Sequence, residues 1–297
     1  MSARRMAIRG LIVVAVAVAL GTEPAAAQVL DSIVTGYQGF AGVWLQRMLP
    51  IAQGTFALLA AIEFAISGLV WGLRRDGLDQ ILAEALKKFL LLSFLFALIS
   101  AFPLFVPQIT RGFETAGQRA SGLTVVNPSE VFAIGTELAS QILLSIGSLA
   151  GFHPIGSVVA TVTALVVVIA FASIAAQLVL ILVETTIVLS GGILFLGFAG
   201  FRGTATFADN YLTWSFHVGI KIFLLYLLVG VGSSISSSWS LLLPGAILTG
   251  GWQPLFEVLG GSLIFSLLVW RIPNTVASHL TQGASFRLHD ALRGGGA

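Results

Sequence analysis

The sequence contains no cysteine and few charged residues. None of its 297 residues is cysteine, which excludes disulfide bonds, thiol catalysis and cysteine-based metal sites. Charged residues make up 9% and hydrophobic residues 57%, whereas a soluble domain has about 25% and about 45–50%. No Asp, Glu, Lys or Arg occurs between Glu137 and Glu184, or between Lys221 and Glu257. Water-exposed surfaces do not carry such stretches, so the composition excludes a soluble enzyme and predicts a polytopic membrane protein.

Motifs for catalysis and metal binding are also lacking. The four histidines form no HExxH or HxH pattern, and neither a P-loop nor a GxSxG elbow occurs. A serine-rich stretch at 233–238 is predicted to lie in a periplasmic loop, with no His–Asp pair placed to activate a hydroxyl. We therefore expect no metal, no cofactor and no enzymatic activity.

Residues 1–27 have the three parts of a secretory signal peptide. Arginines at positions 4, 5 and 9 precede an apolar run at 11–20, and alanines 25–27 precede Gln28. Cleavage is predicted after Ala27, and the alternative is an uncleaved anchor helix. Removing this segment takes away three arginines and Glu23, which leaves equal numbers of basic and acidic residues. The formal net charge of +2 therefore belongs to the signal peptide and implies no nucleic-acid surface.

The remaining chain is predicted to form an all-α transmembrane bundle of about five spans plus amphipathic periplasmic helices. A periplasmic amphipathic segment at 28–50 precedes a transmembrane domain at 51–272, and a cytoplasmic tail at 273–297 follows it. The apolar segments long enough to cross a bilayer are residues 51–73, 89–109, 155–200, 212–232 and 255–270.

The third segment, 155–200, decides the topology. It is either one very long helix or two spans joined by a turn near 175–177. A signal peptide places the mature N-terminus in the periplasm, and basic residues accumulate in cytoplasmic loops. One long helix is preferred because it puts most basic residues in the cytoplasm. These residues are Arg74, Arg75, Lys87, Lys88, Arg202, Arg271, Arg287 and Arg293. The N-terminus is then periplasmic and the C-terminus cytoplasmic. The break in this long helix is predicted at Gly191 and Gly192, because glycine disfavours helix interiors.

Two helix-start signals flank the second span. Asn127 is placed as the N-cap, Pro128 as the first helical residue and Glu130 as the third, which together predict the start of a helix. The stretch beginning at Asp76 predicts a short cytoplasmic helix that ends at Lys87 and Lys88, where basic residues are favourable. The segment 28–50 is predicted to be a helix that lies on the membrane surface or docks a partner. For all three helices the alternative is that the apolar face packs within the protomer.

Three ionisable residues lie inside the predicted spans: Glu63 in the first, Glu184 in the third and Lys221 in the fourth. Such residues are costly in a bilayer and usually mark function. One interpretation is a secondary transporter or ion channel in which the carboxylates carry a proton or an ion. The other is a structural Glu–Lys pair, which is preferred because no dense acidic relay accompanies them.

The segment from Glu184 to Gly232 carries a recognisable pattern of glycines and aromatics. After Glu184 the pattern consists of Gly191, Gly192, Gly197, Phe198, Gly200, Arg202 and Thr204. This pattern resembles the TrbL family of conjugal transfer proteins, which are polytopic inner-membrane components of type IV secretion systems. The resemblance implies that Phe198, Gly200, Arg202 and Thr204 form the cytoplasmic turn after the long helix.

The resemblance also implies a location and partners. We expect a Gram-negative inner-membrane protein that forms a homo-oligomeric ring at the base of a stalk or pilus, next to secretion ATPases. The expected partners are stalk or pilus subunits, those ATPases and the lipid bilayer, with transient contact to translocating DNA or protein. Basic residues are sparse, so translocating DNA would contact a mostly uncharged protein surface.

Overall fold

A computed structural model describes residues 23–74, 77–123, 127–147, 154–248 and 253–282. Nearly all of these residues are helical and none of them lies in a strand, which confirms the predicted fold class. We number the α-helices α1 to α6, and a nine-residue 3₁₀ segment follows α4. The elements are α1 (Glu23–Arg74), α2 (Leu78–Ser121), α3 (Pro128–Gly147), α4 (Pro154–Gly191), the 3₁₀ segment (Gly192–Gly200), α5 (Ala205–Leu248) and α6 (Gln253–Thr281).

Five stretches of the described chain are long and apolar enough to cross a membrane. They lie in α1, in α2, in α4 with the 3₁₀ segment, in α5 and in α6. Each overlaps one of the five predicted spans. A helix suits this sequence because it satisfies every interior backbone hydrogen bond within itself, as a bilayer demands.

The third predicted span is continuous. Helix α4 passes through 175–177 without a turn and ends at Gly191, where the 3₁₀ segment begins. The stretch between Ser173 and Gly191 contains no Gly or Pro, and its Ala, Gln and Leu residues are good helix formers. Helix α4 alone has 38 residues and therefore spans about 57 Å, compared with about 30 Å of hydrocarbon in a bilayer.

Two helices continue through positions where the sequence predicted a boundary between elements. The segment 28–50 is helical as predicted, but it continues through Pro50 into the first span as one helix of 52 residues. A helix lying flat on the membrane would need a break there. Likewise, no short helix ends at Lys87 and Lys88, since α2 continues from Leu78 to Ser121. No Gly or Pro lies between Leu78 and Ala101 to end it.

Two further boundaries differ near the C-terminus. The serine-rich stretch at 233–238 is not a loop but part of α5, and its hydroxyls donate to carbonyls of the same helix, as from Ser237 to Ser233 at 2.9 Å. This intrahelical bonding removes the need for water around them. Helix α6 runs to Thr281, so the predicted tail begins as helix. The remainder of that tail, 283–297, and residues 1–22 of the signal peptide lie outside the described residues.

The start of α3 at Pro128 agrees with its predicted start signal. Asn127 donates from its side-chain amide to Glu130 at 3.1 Å, and its backbone carbonyl accepts from Val131 at 3.2 Å. Asp31 of α1 also accepts from the backbone N–H of Ser129 at 3.4 Å. Carboxylates at this position satisfy free N–H groups of the first helical turn.

The chain divides into two compact units. The first unit comprises Met1–Thr35, Thr115–Leu182 and Ile222–Thr275. Its core is built by α3, α4, α5 and α6 around Phe171, Ile174 and Leu178 of α4. Gly135 lets α3 approach Phe171, because a Cβ there would clash with the ring.

The second unit comprises Gly36–Glu114, Val183–Lys221 and Val276–Ala297. Its apolar core joins Ala52 and Phe56 of α1, Leu95 and Ile99 of α2, and the 3₁₀ segment with the start of α5. The three ionisable residues predicted to lie in the membrane all belong to this unit.

Candidate functional site: buried ion pairs around a glycine-rich 3₁₀ segment

Glu184 and Lys221 form an ion pair between α4 and α5. The Lys221 ammonium donates to both carboxylate oxygens of Glu184, at 3.0 and 2.9 Å. Lys221 is 8% exposed, so its charge requires this partner. His217 lies one helical turn before Lys221, and its Nδ1 is 3.1 Å from the Thr281 hydroxyl at the end of α6.

Glu63 forms a second ion pair, which does not involve Lys221. Its side chain is 0% exposed, and its Oε1 lies 2.5 Å from the Lys88 ammonium of α2. Lys88 also donates to the Ser67 hydroxyl, which in turn donates to the Glu63 backbone carbonyl at 2.7 Å. Ser67 lies one turn after Glu63 on α1, so the two residues together present an acidic and a polar group to Lys88.

Glu63 also contacts the turn that follows the 3₁₀ segment. Its Oε2 accepts from the backbone N–H of Arg202 at 3.2 Å and lies 3.9 Å from the Arg202 Nε. The Arg202 side chain is 40% exposed. One buried carboxylate therefore joins α1, α2 and this turn.

The 3₁₀ segment packs against α1 through two glycines. A Cβ on Gly197 would lie 2.6 Å from the carbonyl oxygen of Ala52, and one on Gly200 would lie 2.5 Å from that of Phe56. Both neighbours are backbone atoms, which cannot rotate away. Glycine at these two positions is what allows the segment to approach the α1 backbone so closely.

The remaining residues of the glycine and aromatic pattern support the same segment. Gly192 lies against the ring of Tyr211 on α5, where a Cβ would clash. The Phe198 ring is 5.5 Å from that of Phe207. Thr204 donates from its hydroxyl to the Phe198 carbonyl at 2.9 Å, which satisfies a carbonyl at the end of the segment. Gly191, by contrast, has open space around it.

Two further charged residues of the second unit are buried or paired, although the sequence did not mark them as candidates for the site. Lys88, predicted at a helix end, is the partner of Glu63. Asp209, in the second turn of α5, is buried at 6% exposure. The sequence signal for Lys88 was its position next to a long apolar run, since a cation there needs a partner or water.

This arrangement favours a structural role for the ionisable residues over a role in transport. Each of the two membrane carboxylates is matched by a lysine on a neighbouring helix, and such pairs hold helices in register. Among the residues that the structure describes, no group of three or more His, Asp or Glu side chains could hold a metal ion.

Five long apolar helices define a multi-pass helical membrane protein, and ion pairs in its second unit join α1 to α2 and α4 to α5. Residues 60–272 match the family described as TrbL/VirB6 plasmid conjugal transfer protein. The chain belongs to this family. The matched region includes both ion pairs and the whole 3₁₀ segment.

Two curated relatives are similar over much of the chain. A probable conjugal transfer protein TrbL from Sinorhizobium fredii (strain NBRC 101917 / NGR234) is 30% identical over 193 residues, which is 65% of this chain and 48% of the relative. A conjugal transfer protein TrbL from Rhizobium radiobacter is 29% identical over 233 residues, covering 73% of this chain and 55% of the relative. The chain thus spans about half the length of the curated relatives it matches.

Proposed function

We propose that the chain is an inner-membrane component of a type IV secretion system for conjugal transfer. In this role it forms a homo-oligomeric ring at the base of a stalk or pilus and helps to translocate a DNA–protein substrate. Its partners are stalk or pilus subunits and secretion ATPases, with transient contact to the substrate. The family and the names of both relatives support transfer as the process.

The ring is proposed because the apolar surface of α1 is longer than a membrane is thick. The apolar stretch of α1 has 45 residues and extends about 68 Å, roughly twice the hydrocarbon thickness. Large apolar side chains are exposed along it, among them Phe40 at 60% and Leu69 at 69%. Whatever lies outside the bilayer must be covered by protein, and identical copies can cover each other in a closed ring.

Oligomerisation and transfer can be tested together. Native mass measurement of the chain in mild detergent is expected to give one closed oligomer, and deletion of its gene is expected to abolish conjugation until the intact gene is restored. As a control, a variant that stays monomeric should not restore transfer. Only monomers in detergent together with normal transfer after deletion would refute the proposal.

We further propose that the N-terminus is periplasmic and the C-terminus cytoplasmic. A continuous α4 makes the number of crossings odd, and the basic residues then lie mainly on the cytoplasmic side. Alkaline phosphatase is active only outside the cytoplasm, so a fusion after Ala297 should be inactive, whereas a fusion in the α5–α6 connection at 249–252 should be active. The reverse pattern would contradict this orientation.

A further inference from the structure

The 3₁₀ segment is long for its type. It has nine residues, whereas runs of more than three or four are uncommon, and a 3₁₀ stretch within a helix often marks a hinge or a strained sequence. Its buried residues other than glycine are Ile193, Leu196 and Ala199, which recur every third position and so match the three residues per turn of this helix. At about 2.0 Å per residue, it is about 4–5 Å longer than an α-helix of the same residues. The segment is thus extended, and its packing against α1 favours that form.

The C-terminal end of this segment is fixed from outside by a small set of polar contacts. Glu63 accepts the backbone N–H of Arg202 at 3.2 Å and is itself held by the Lys88 ammonium at 2.5 Å. At its start the segment continues directly from α4 through Gly191, whose backbone is helical (φ −84°, ψ −33°). The contact from Glu63 therefore ties the turn at 201–204 to α1 and α2, and we call Glu63 and Lys88 the latch.

We propose that this latch holds a movable element: with the latch in place the 3₁₀ segment stays extended and buried, and without it the segment leaves α1. The motion would change the connection between α4 and α5. This inference does not depend on the proposed role in secretion, because it concerns only contacts within the second unit.

The absence of cysteine gives a direct test. Ala199 is 2% exposed, so Ala199→Cys places the only thiol of the chain on the buried side of the segment. Phe195 is 41% exposed, so Phe195→Cys reports an exposed position of the same segment. With the purified full-length chain in detergent, N-ethylmaleimide, which also enters detergent micelles, should label Phe195→Cys rapidly and Ala199→Cys slowly.

The latch is best removed as a pair, because a single change would leave a buried charge that can unfold the protein. In the Glu63→Leu/Lys88→Met background, the labelling rate of Ala199→Cys is expected to rise by about tenfold or more through local opening. The matched control is Glu184→Leu/Lys221→Met, which removes the other Glu–Lys pair of the same unit. That control should leave Ala199→Cys protected.

Each other outcome overturns the proposal. If Ala199→Cys stays protected without the latch, the packing of the glycines alone holds the segment. If both double variants expose it equally, the effect is general loosening rather than release of this segment. Melting of the latch-free variant at a much lower temperature than the control variant would indicate the same.

Discussion

Replacing Glu63 by alanine is expected to lower the free energy of unfolding by roughly 3–5 kcal/mol, the usual cost of breaking a buried ion pair. The change removes the partner of Lys88, whose side chain is only 12% exposed. It also removes the acceptor of the Arg202 backbone N–H. The measurement is denaturant-induced unfolding of the purified chain in detergent, followed by the loss of helical circular dichroism.

Adding Lys88→Met to Glu63→Ala should recover part of that loss, because no unpaired charge then remains in the interior, whereas the acceptor of the Arg202 backbone N–H is still missing. Glu84→Ala is a suitable comparison on α2. Its carboxylate accepts from the indole of Trp71 at 2.6 Å, but this contact is exposed and should contribute little. A loss after Glu63→Ala no larger than that after Glu84→Ala would show that the buried pair is not important for stability.

Gly200→Ala is expected to destabilise the protein by about 1–3 kcal/mol, as overpacking of a close contact does. The new methyl group would lie 2.5 Å from the Phe56 carbonyl oxygen and 3.0 Å from the Ala60 backbone nitrogen. Both atoms belong to the backbone of α1, so relief requires the segment and α1 to separate. The midpoint of thermal unfolding in detergent reports this loss.

Gly68→Ala on α1 is the matched control for that variant. No atom lies within 4 Å of a Cβ added at Gly68, and alanine is favoured over glycine in a helix by up to about 1 kcal/mol. The two substitutions are chemically identical and should therefore shift the midpoint in opposite directions. A Gly200→Ala protein as stable as Gly68→Ala would mean that the 3₁₀ segment does not pack tightly on α1.

Much of the architecture follows from the sequence. The five apolar stretches, the continuous third span and the helix start at Pro128 could be predicted, because membrane helices satisfy their backbone internally and so depend mainly on local composition. Boundaries were harder to predict. Pro50, Lys87 and Lys88 resemble helix ends in a soluble protein, yet α1 and α2 continue through them.

The candidate site could be predicted only in part. Glu63, Glu184 and Lys221 stood out because charges are rare in apolar spans, and the glycine pattern stood out through its resemblance to a family. Neither observation indicated which charges pair. Lys221 could have paired with either carboxylate. It contacts Glu184, whereas Glu63 contacts Lys88.

The sequence alone therefore determined the class of protein, its family and the positions of its apolar helices, because these depend on composition and local pattern. Tertiary structure decided which helices meet, and with them the two ion pairs and the fit of Gly197 and Gly200 against α1. These contacts join residues far apart in the chain, such as Glu63 and Arg202. Such contacts depend on how helices pack, and no local property of the sequence specifies that packing.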